Sequence, residues 1–202
     1  MWIAHVPYEV AVGRLKMLYD RVKGPGNNVD NIMLAHSLRP HSMEGHMALY
    51  KYVLHHSGNT VPKWFLETIG VHVSLLNRCA YCVEHHFSGL RRLLNDGHRA
   101  DAIRAGLENG AHQDLFSTAE RAALAYASAL TVSPEDRDGI KGQLEAMRAG
   151  GFDDGMILEV NQVAAYFNYA NRMVLGLGIS TDGDILGLSP NNSDDAGDWS
   201  HR

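Results

Sequence analysis

An all-α fold is predicted for this 202-residue chain on three observations. Apolar residues recur at three- and four-residue spacings, alternating β-type runs are nearly absent, and the periodic stretches are punctuated by helix-capping residues. One hydrophobic core is expected, with a compact helical domain over residues 1–180 and a polar segment at 181–202. Pro7 lies where a first-turn proline would open a helix through Leu15, Leu18 and Val22, and Gly24-Pro25-Gly26 would end it. No proline occurs between Pro62 and Pro134. This central third has the densest apolar periodicity and is expected to form the core. Ser117-Thr-Ala-Glu120 is a capping-box pattern opening an alanine-rich helix through Leu130; Ser133-Pro134-Glu135 starts another that stops at Gly150-Gly151. The stretch 156–175 places Val160, Val163, Ala164, Phe167 and Val174 on one face, as in a long buried helix or a subunit interface. After Ile179 the chain turns rich in Gly, Asp, Asn and Ser, notably over 189–197. That composition predicts a mobile tail, or an arm that orders against a partner, and Trp199 favours the arm.

Charge and composition exclude several functions. Eighteen Lys and Arg against 23 Asp and Glu give a net charge of -5, and the basic residues are scattered, so no nucleic-acid partner is expected. No apolar run approaches the roughly 20 residues needed to span a bilayer, and the first residues lack signal-peptide character. A soluble, cytoplasmic protein with no membrane partner is the expectation. The two cysteines are too few and too close for a secreted disulfide scaffold. In a reducing compartment such a pair is catalytic, redox-sensing or metal-binding.

Both cysteines fall in Cys79-Ala-Tyr-Cys82-Val-Glu-His-His86. On a helix Cys79, Cys82 and His86 share a face within roughly 60°. A thiol with a pKa near 8.5 is only about 3% thiolate at neutral pH, so activation matters. His86, four residues beyond Cys82, favours Cys82 as the attacking thiol, with Cys79 condensing onto the resulting sulfenic acid. The opposite order also has a physical basis, because Cys79 lies nearer the helix start, where the dipole stabilises an anion. Glu67 precedes Cys79 by 12 residues. If the chain turns near Asn77-Arg78, the two helices run antiparallel and the Glu67 carboxylate can orient His86.

Glu67 followed by Cys79-x-x-Cys82-x-x-x-His86 resembles the alkylhydroperoxidase D-like core of the carboxymuconolactone decarboxylase-like superfamily. The opening Trp2-Ile3…Pro7, Leu75-Leu-Asn-Arg-Cys-Ala-Tyr-Cys82 and Tyr166-Phe-Asn-Tyr-Ala-Asn-Arg172 are similar to its longer, peroxidase-related branch. The resemblance implies an all-helical fold with the CxxC motif at the start of a core helix, and assembly into dimers, trimers or hexamers. It further implies thiol-dependent reduction of a small hydroperoxide at the expense of a thiol or dithiol reductant, with no cofactor and no bound metal. In its terms Cys82 attacks peroxide, Cys79 resolves, and Glu67 with His86 forms a proton relay. The best-understood members carry a further histidine immediately before the second cysteine, where this chain has Tyr81. A phenol donates a hydrogen bond but shuttles protons poorly at neutral pH, so a shorter relay or a packing role is expected of Tyr81.

Other chemistry fits parts of the pattern. Glu67 and His86 could serve as acid and base for a decarboxylase or lactone reaction on the same scaffold, which has no need of the cysteines. A Cys79–Cys82 disulfide could instead act as a non-enzymatic redox sensor. Zinc would take Cys79, Cys82 and His86 with His72 or His85 as fourth ligand. His46 and His72 are expected at packed surfaces, Asn168, Asn171 and Arg172 at a helix junction, and Tyr166, Phe167 and Tyr169 in core and interface.

Overall fold

Two long apolar helices joined by a three-residue turn organise the chain. The computed structural model describes residues 1–190, 195 and 198–201, and among these it is helical with no strand beyond one isolated bridge between Pro190 and His201. The helices are α1 (Gly13–Val22), α2 (Asn31–Ala35), α3 (Pro40–Tyr50), α4 (Lys63–Leu76), α5 (Ala80–Leu94), α6 (Gly97–Asn109), α7 (Thr118–Val132), α8 (Arg137–Ala149) and α9 (Asp154–Leu177). A π-helical segment, Lys51–His55, follows α3 directly.

Helix α4 is buried continuously from Phe65 to Ser74, which its nearly all-round apolar composition requires. It packs against α5, α7 and α9. Gly70 permits the closest of these approaches: a Cβ there would collide with the ring of Phe167 on α9. The face expected along α9 is buried at Val160, Val163, Ala164, Phe167 and Val174. Tyr166 is buried too, whereas Tyr169 is 42% exposed. Asp153 caps the start of α9 by accepting from the Met156 N–H at 2.8 Å.

The turn between α4 and α5 decides where the cysteines go. Arg78 adopts the left-handed region at φ 57°. Its N–H donates to the Leu75 carbonyl at 3.0 Å, and the Cys79 N–H donates to that of Ser74 at 2.9 Å. This is a Schellman closure, which satisfies the last carbonyls of α4 and reverses the chain at once. Cys79 is thereby both the residue that ends α4 and the N-cap of α5.

Capping residues set the other boundaries, with two shifts from expectation. Ser117 and Glu120 form the capping box of α7. The helix expected from Pro7 starts later: Tyr8–Val10 is a single 3-10 turn, Val12 is extended, and α1 begins at Gly13. Side chains explain the break, since Tyr19 donates to the Val6 carbonyl and Tyr8 to Asp20, folding the N-terminal strip back along α1. The helix expected from Ser133 begins at Arg137, because the Asp136 carboxylate accepts from the Gly139 N–H and is the cap used. No helix among the described residues is long and apolar enough to cross a membrane.

The stretch 189–197, on which the mobile-tail expectation rests, lies largely outside the described residues. Residues 181–190 lie across α2 and α5, where Asn31 and Arg92 bond Asp184 and Ser189.

Candidate active site

The reversal at Arg78 sets Glu67 on α4 opposite His86 on α5. His86 Nδ1 donates to Glu67 Oε2 at 2.7 Å, the pairing expected from an antiparallel hairpin. Glu67 is 2% exposed. Burial alone would push its carboxyl up, but the charge and hydrogen bond of His86, with His55 and Arg92, hold it below the usual carboxylate range. An ionised acceptor on Nδ1 leaves Nε2 as the imidazole atom free to take a proton. A second imidazole, His55 from the π-helical segment, stands 3.7 Å from Glu67 Oε1. Burial drives it down to about 4, so at neutral pH it is uncharged.

The two sulfurs differ in environment. Cys79 accepts hydrogen bonds from the Cys82 thiol and the Cys82 backbone N–H, and these hold it below the ordinary thiol value despite burial. Cys82 is pushed well above that value, first by the same sulfur-to-sulfur bond and then by burial. Of the two sulfurs, Cys79, at the N-terminus of α5, is the one whose surroundings favour the anion. Access runs the other way. Cys82 lines a cavity of about 40 Å³ together with Glu67, His86, His46, Tyr50 and Tyr166, whereas Cys79 does not.

Several participants have no signature in the motif. Asn171 on α9 is fully buried and hydrogen-bonds to both thiols, while its Nδ2 donates to Ser74 Oγ and its Oδ1 accepts from Asn77 Nδ2. It therefore ties the cysteines to the helix junction where the sequence places it. Asn168 accepts from Asn77 at that junction and donates to Thr131 on α7, and Arg172 donates to Asn168. His46 lines the cavity, and burial drives it down to about 3. Tyr81 donates to Asp184 Oδ2 at 2.8 Å, and burial, followed by Asp184, raises it well above its usual value. Its hydroxyl is a fixed donor to the C-terminal segment. The two residues named as fourth zinc ligands point elsewhere: His85 bonds Asp184, and His72 bonds Ser128. Among the described residues no group of three or more His, Cys, Asp and Glu is arranged to hold a metal ion.

No protein-family model matches the sequence. The uncharacterized protein YdfG of Bacillus subtilis (strain 168) is 25% identical over 143 residues, 71% of this chain and 91% of YdfG. An uncharacterized peroxidase-related protein from Ralstonia eutropha JMP134, described as an alkylhydroperoxidase AhpD core, superposes with a TM-score of 0.76 at 22% identity, over 92% of this chain and 95% of that one. The chain has the alkylhydroperoxidase D-like fold. The debrominase Bmp8 is a further structural neighbour, with a TM-score of 0.65 at 20% identity over 83% of this chain and 85% of Bmp8. A cysteine-to-alanine variant of that debrominase was solved with 2,3,4-tribromopyrrole.

The buried imidazoles are expected to make the fold acid-sensitive. Desolvation lowers His55, His72 and His201 to about 4 and His46 to about 3. In the unfolded chain each takes a proton near pH 6.5. Between pH 6.5 and 4 the unfolded state thus binds more protons, and stability falls as pH drops through that window. Asp30 acts in the opposite sense. Burial, eased by His85 and reinforced by Asp184, raises it to about 6, so from there down to about pH 4 it adds stability as pH falls. Five histidines, counting His36, which burial also lowers, oppose one carboxyl. The urea-unfolding free energy is expected to be lower at pH 5 than at pH 7.5 by at least about 2 kcal/mol. Equal or greater stability at pH 5 would contradict neutral burial of these histidines.

Proposed function

We propose that the protein reduces hydroperoxides by thiol chemistry, with Cys82 attacking, Cys79 resolving, and His86 and Glu67 moving the proton. The observation that carries this reading is the placement of Cys82 in the same cavity as the Glu67-paired His86, with the Cys79 thiol in hydrogen-bond contact behind it. The Cys82 thiolate attacks the terminal oxygen of ROOH. The S–O bond forms as the O–O bond breaks, sulfur is oxidised to sulfenic acid, and the departing alkoxide takes from His86 Nε2 the proton that the Cys82 thiol gave up to it, leaving as ROH. Cys79 then attacks the Cys82 sulfur, expels water and forms the Cys79–Cys82 disulfide. An external dithiol reopens that disulfide and closes the cycle.

The alternatives fit the site less well. Decarboxylase or lactone chemistry would use Glu67 and His86 but leaves the paired cysteines without a task. A pure redox sensor would not need a carboxylate-paired imidazole beside the accessible sulfur.

The test is anaerobic mixing of reduced protein with hydrogen peroxide, timed thiol trapping and mass spectrometry. Disulfide between Cys79 and Cys82 is expected at least about 10-fold faster than oxidation of a free model thiol. A rate no faster than the model thiol rejects the peroxidase reading.

A further inference from the structure

The C-terminal arm closes over the proposed peroxide site and is held there by specific bonds. Asp184, with its side chain 1% exposed, accepts from the Asn31 N–H at 3.0 Å, from the Tyr81 hydroxyl at 2.8 Å, and pairs with His85 Nε2 at 3.1 Å. Asn31 Nδ2 in turn donates to the carbonyls of Ser180 and Asp182. Gly187, at φ 79°, lies directly on α5: a Cβ there would fall 2.8 Å from that of Ser88 and 3.0 Å from the Ser88 carbonyl carbon. Beyond it Arg92 donates to Ser189 Oγ, and Lys51, fully buried, donates to the carbonyls of Asp195 and Asp198. Trp199 is 4% exposed under the guanidinium of Arg21.

This arm supplies one wall of the cavity that Cys82 faces, through Gly187, Leu188, Ser189 and His201. Cys82 is 2% exposed. A cavity of about 40 Å³ is small beside the roughly 300–1,000 Å³ of ordinary ligand pockets, so it suits hydrogen peroxide better than an aryl group. We infer that the C-terminal arm is a size filter that restricts the site to the smallest hydroperoxides, hydrogen peroxide foremost, and excludes aryl and long-chain alkyl hydroperoxides. The inference rests on the peroxide reading for its substrate class, but the filter itself is a property of the arm.

Two variants separate the parts. Asp184→Ala removes the latch on Asn31, Tyr81 and His85, while Leu188→Ala leaves the latch and shortens only a wall residue. In the unaltered protein, disulfide formation is expected to be at least about 100-fold faster with hydrogen peroxide than with cumene hydroperoxide. Each variant is expected to lower that ratio at least about 10-fold by gaining rate with cumene hydroperoxide. Similar rates for both oxidants in the unaltered protein, or an unchanged ratio in both variants, overturn the filter. Labelling of Cys82 by methyl and benzyl methanethiosulfonate, located by mass spectrometry, tests the filter without peroxide. The benzyl reagent should be the slower one and should alone be accelerated in the variants. If neither peroxide yields disulfide, the peroxidase reading fails, and the labelling pair alone decides the filter. Should Asp184→Ala not fold, Leu188→Ala carries the same comparison.

Discussion

Cys82→Ser is expected to abolish the reaction with peroxide, slowing thiol oxidation about 100-fold or more, whereas Cys79→Ser is expected to keep the first step and accumulate sulfenic acid on Cys82. Access is the reason. Cys82 lines the cavity beside His86, and Cys79 lies behind it at the turn. The same experiment separates attack from charge, because the hydrogen bonds at the start of α5 favour the anion on Cys79. In Cys79→Ser the sulfur-to-sulfur bond that pushes the Cys82 thiol up is lost, so the Cys82 reaction should shift to lower pH as well as stop at sulfenic acid. Dimedone trapping with peptide mapping reads both results. Rapid sulfenic acid at Cys79 in Cys82→Ser, with none at Cys82 in Cys79→Ser, would reverse the assignment.

Glu67→Gln should lower the peroxide-dependent rate by about 10²–10⁴, the usual range for a lost acid-base contribution. The amide keeps the size of the carboxylate but not its charge, so it cannot stabilise a protonated His86 or fix Nδ1–H. Stability should fall as well, by roughly 1–3 kcal/mol at pH 7, since a buried hydrogen-bonded charge has been replaced beside two imidazoles. The sign with pH is specific. The Glu67 carboxyl is depressed in the fold, so the stability it contributes is present above its unfolded value near 4.5 and is lost as pH falls through the folded value. The Gln variant should therefore lose less stability on acidification below pH 4.5 than the unaltered protein does. Urea midpoints across pH and a pH–rate profile check the two halves. A rate within about threefold of the unaltered protein, with an unchanged profile, would remove Glu67 from the relay.

Much of the site was legible because its spacing is local. Helix geometry relates Cys82 to His86 whatever the rest of the fold does, and a reversal at Asn77-Arg78 puts Glu67 within reach of His86. The same holds for the capping box at Ser117 and for the buried face of α9. His55 was not legible. It reaches Glu67 from a π-helical segment, where the turn departs from the periodicity used to read helices, and such segments recur at functional sites. Asn171 was placed at a helix junction but not beside the thiols, since its neighbours Ser74 and Asn77 are about a hundred positions away in the chain.

The all-helical class and the shared helix face of Cys79, Cys82 and His86 follow from periodicity, capping and spacing, which act over a few residues, whereas Glu67 joined them through the family resemblance and a turn that the sequence allows without requiring. Three matters belonged to packing instead: which sulfur faces a cavity, which sulfur's surroundings favour the anion, and what walls the cavity off. The first two depend on the Schellman closure at Arg78, which fuses the end of α4 to the cap of α5 and turns one thiol inward. The third depends on Asp184 finding Asn31, Tyr81 and His85 across more than ninety residues of sequence. A polar, glycine-rich segment carries no periodic signal of its own. Its place is set by buried hydrogen-bond partners that only the assembled helices bring together.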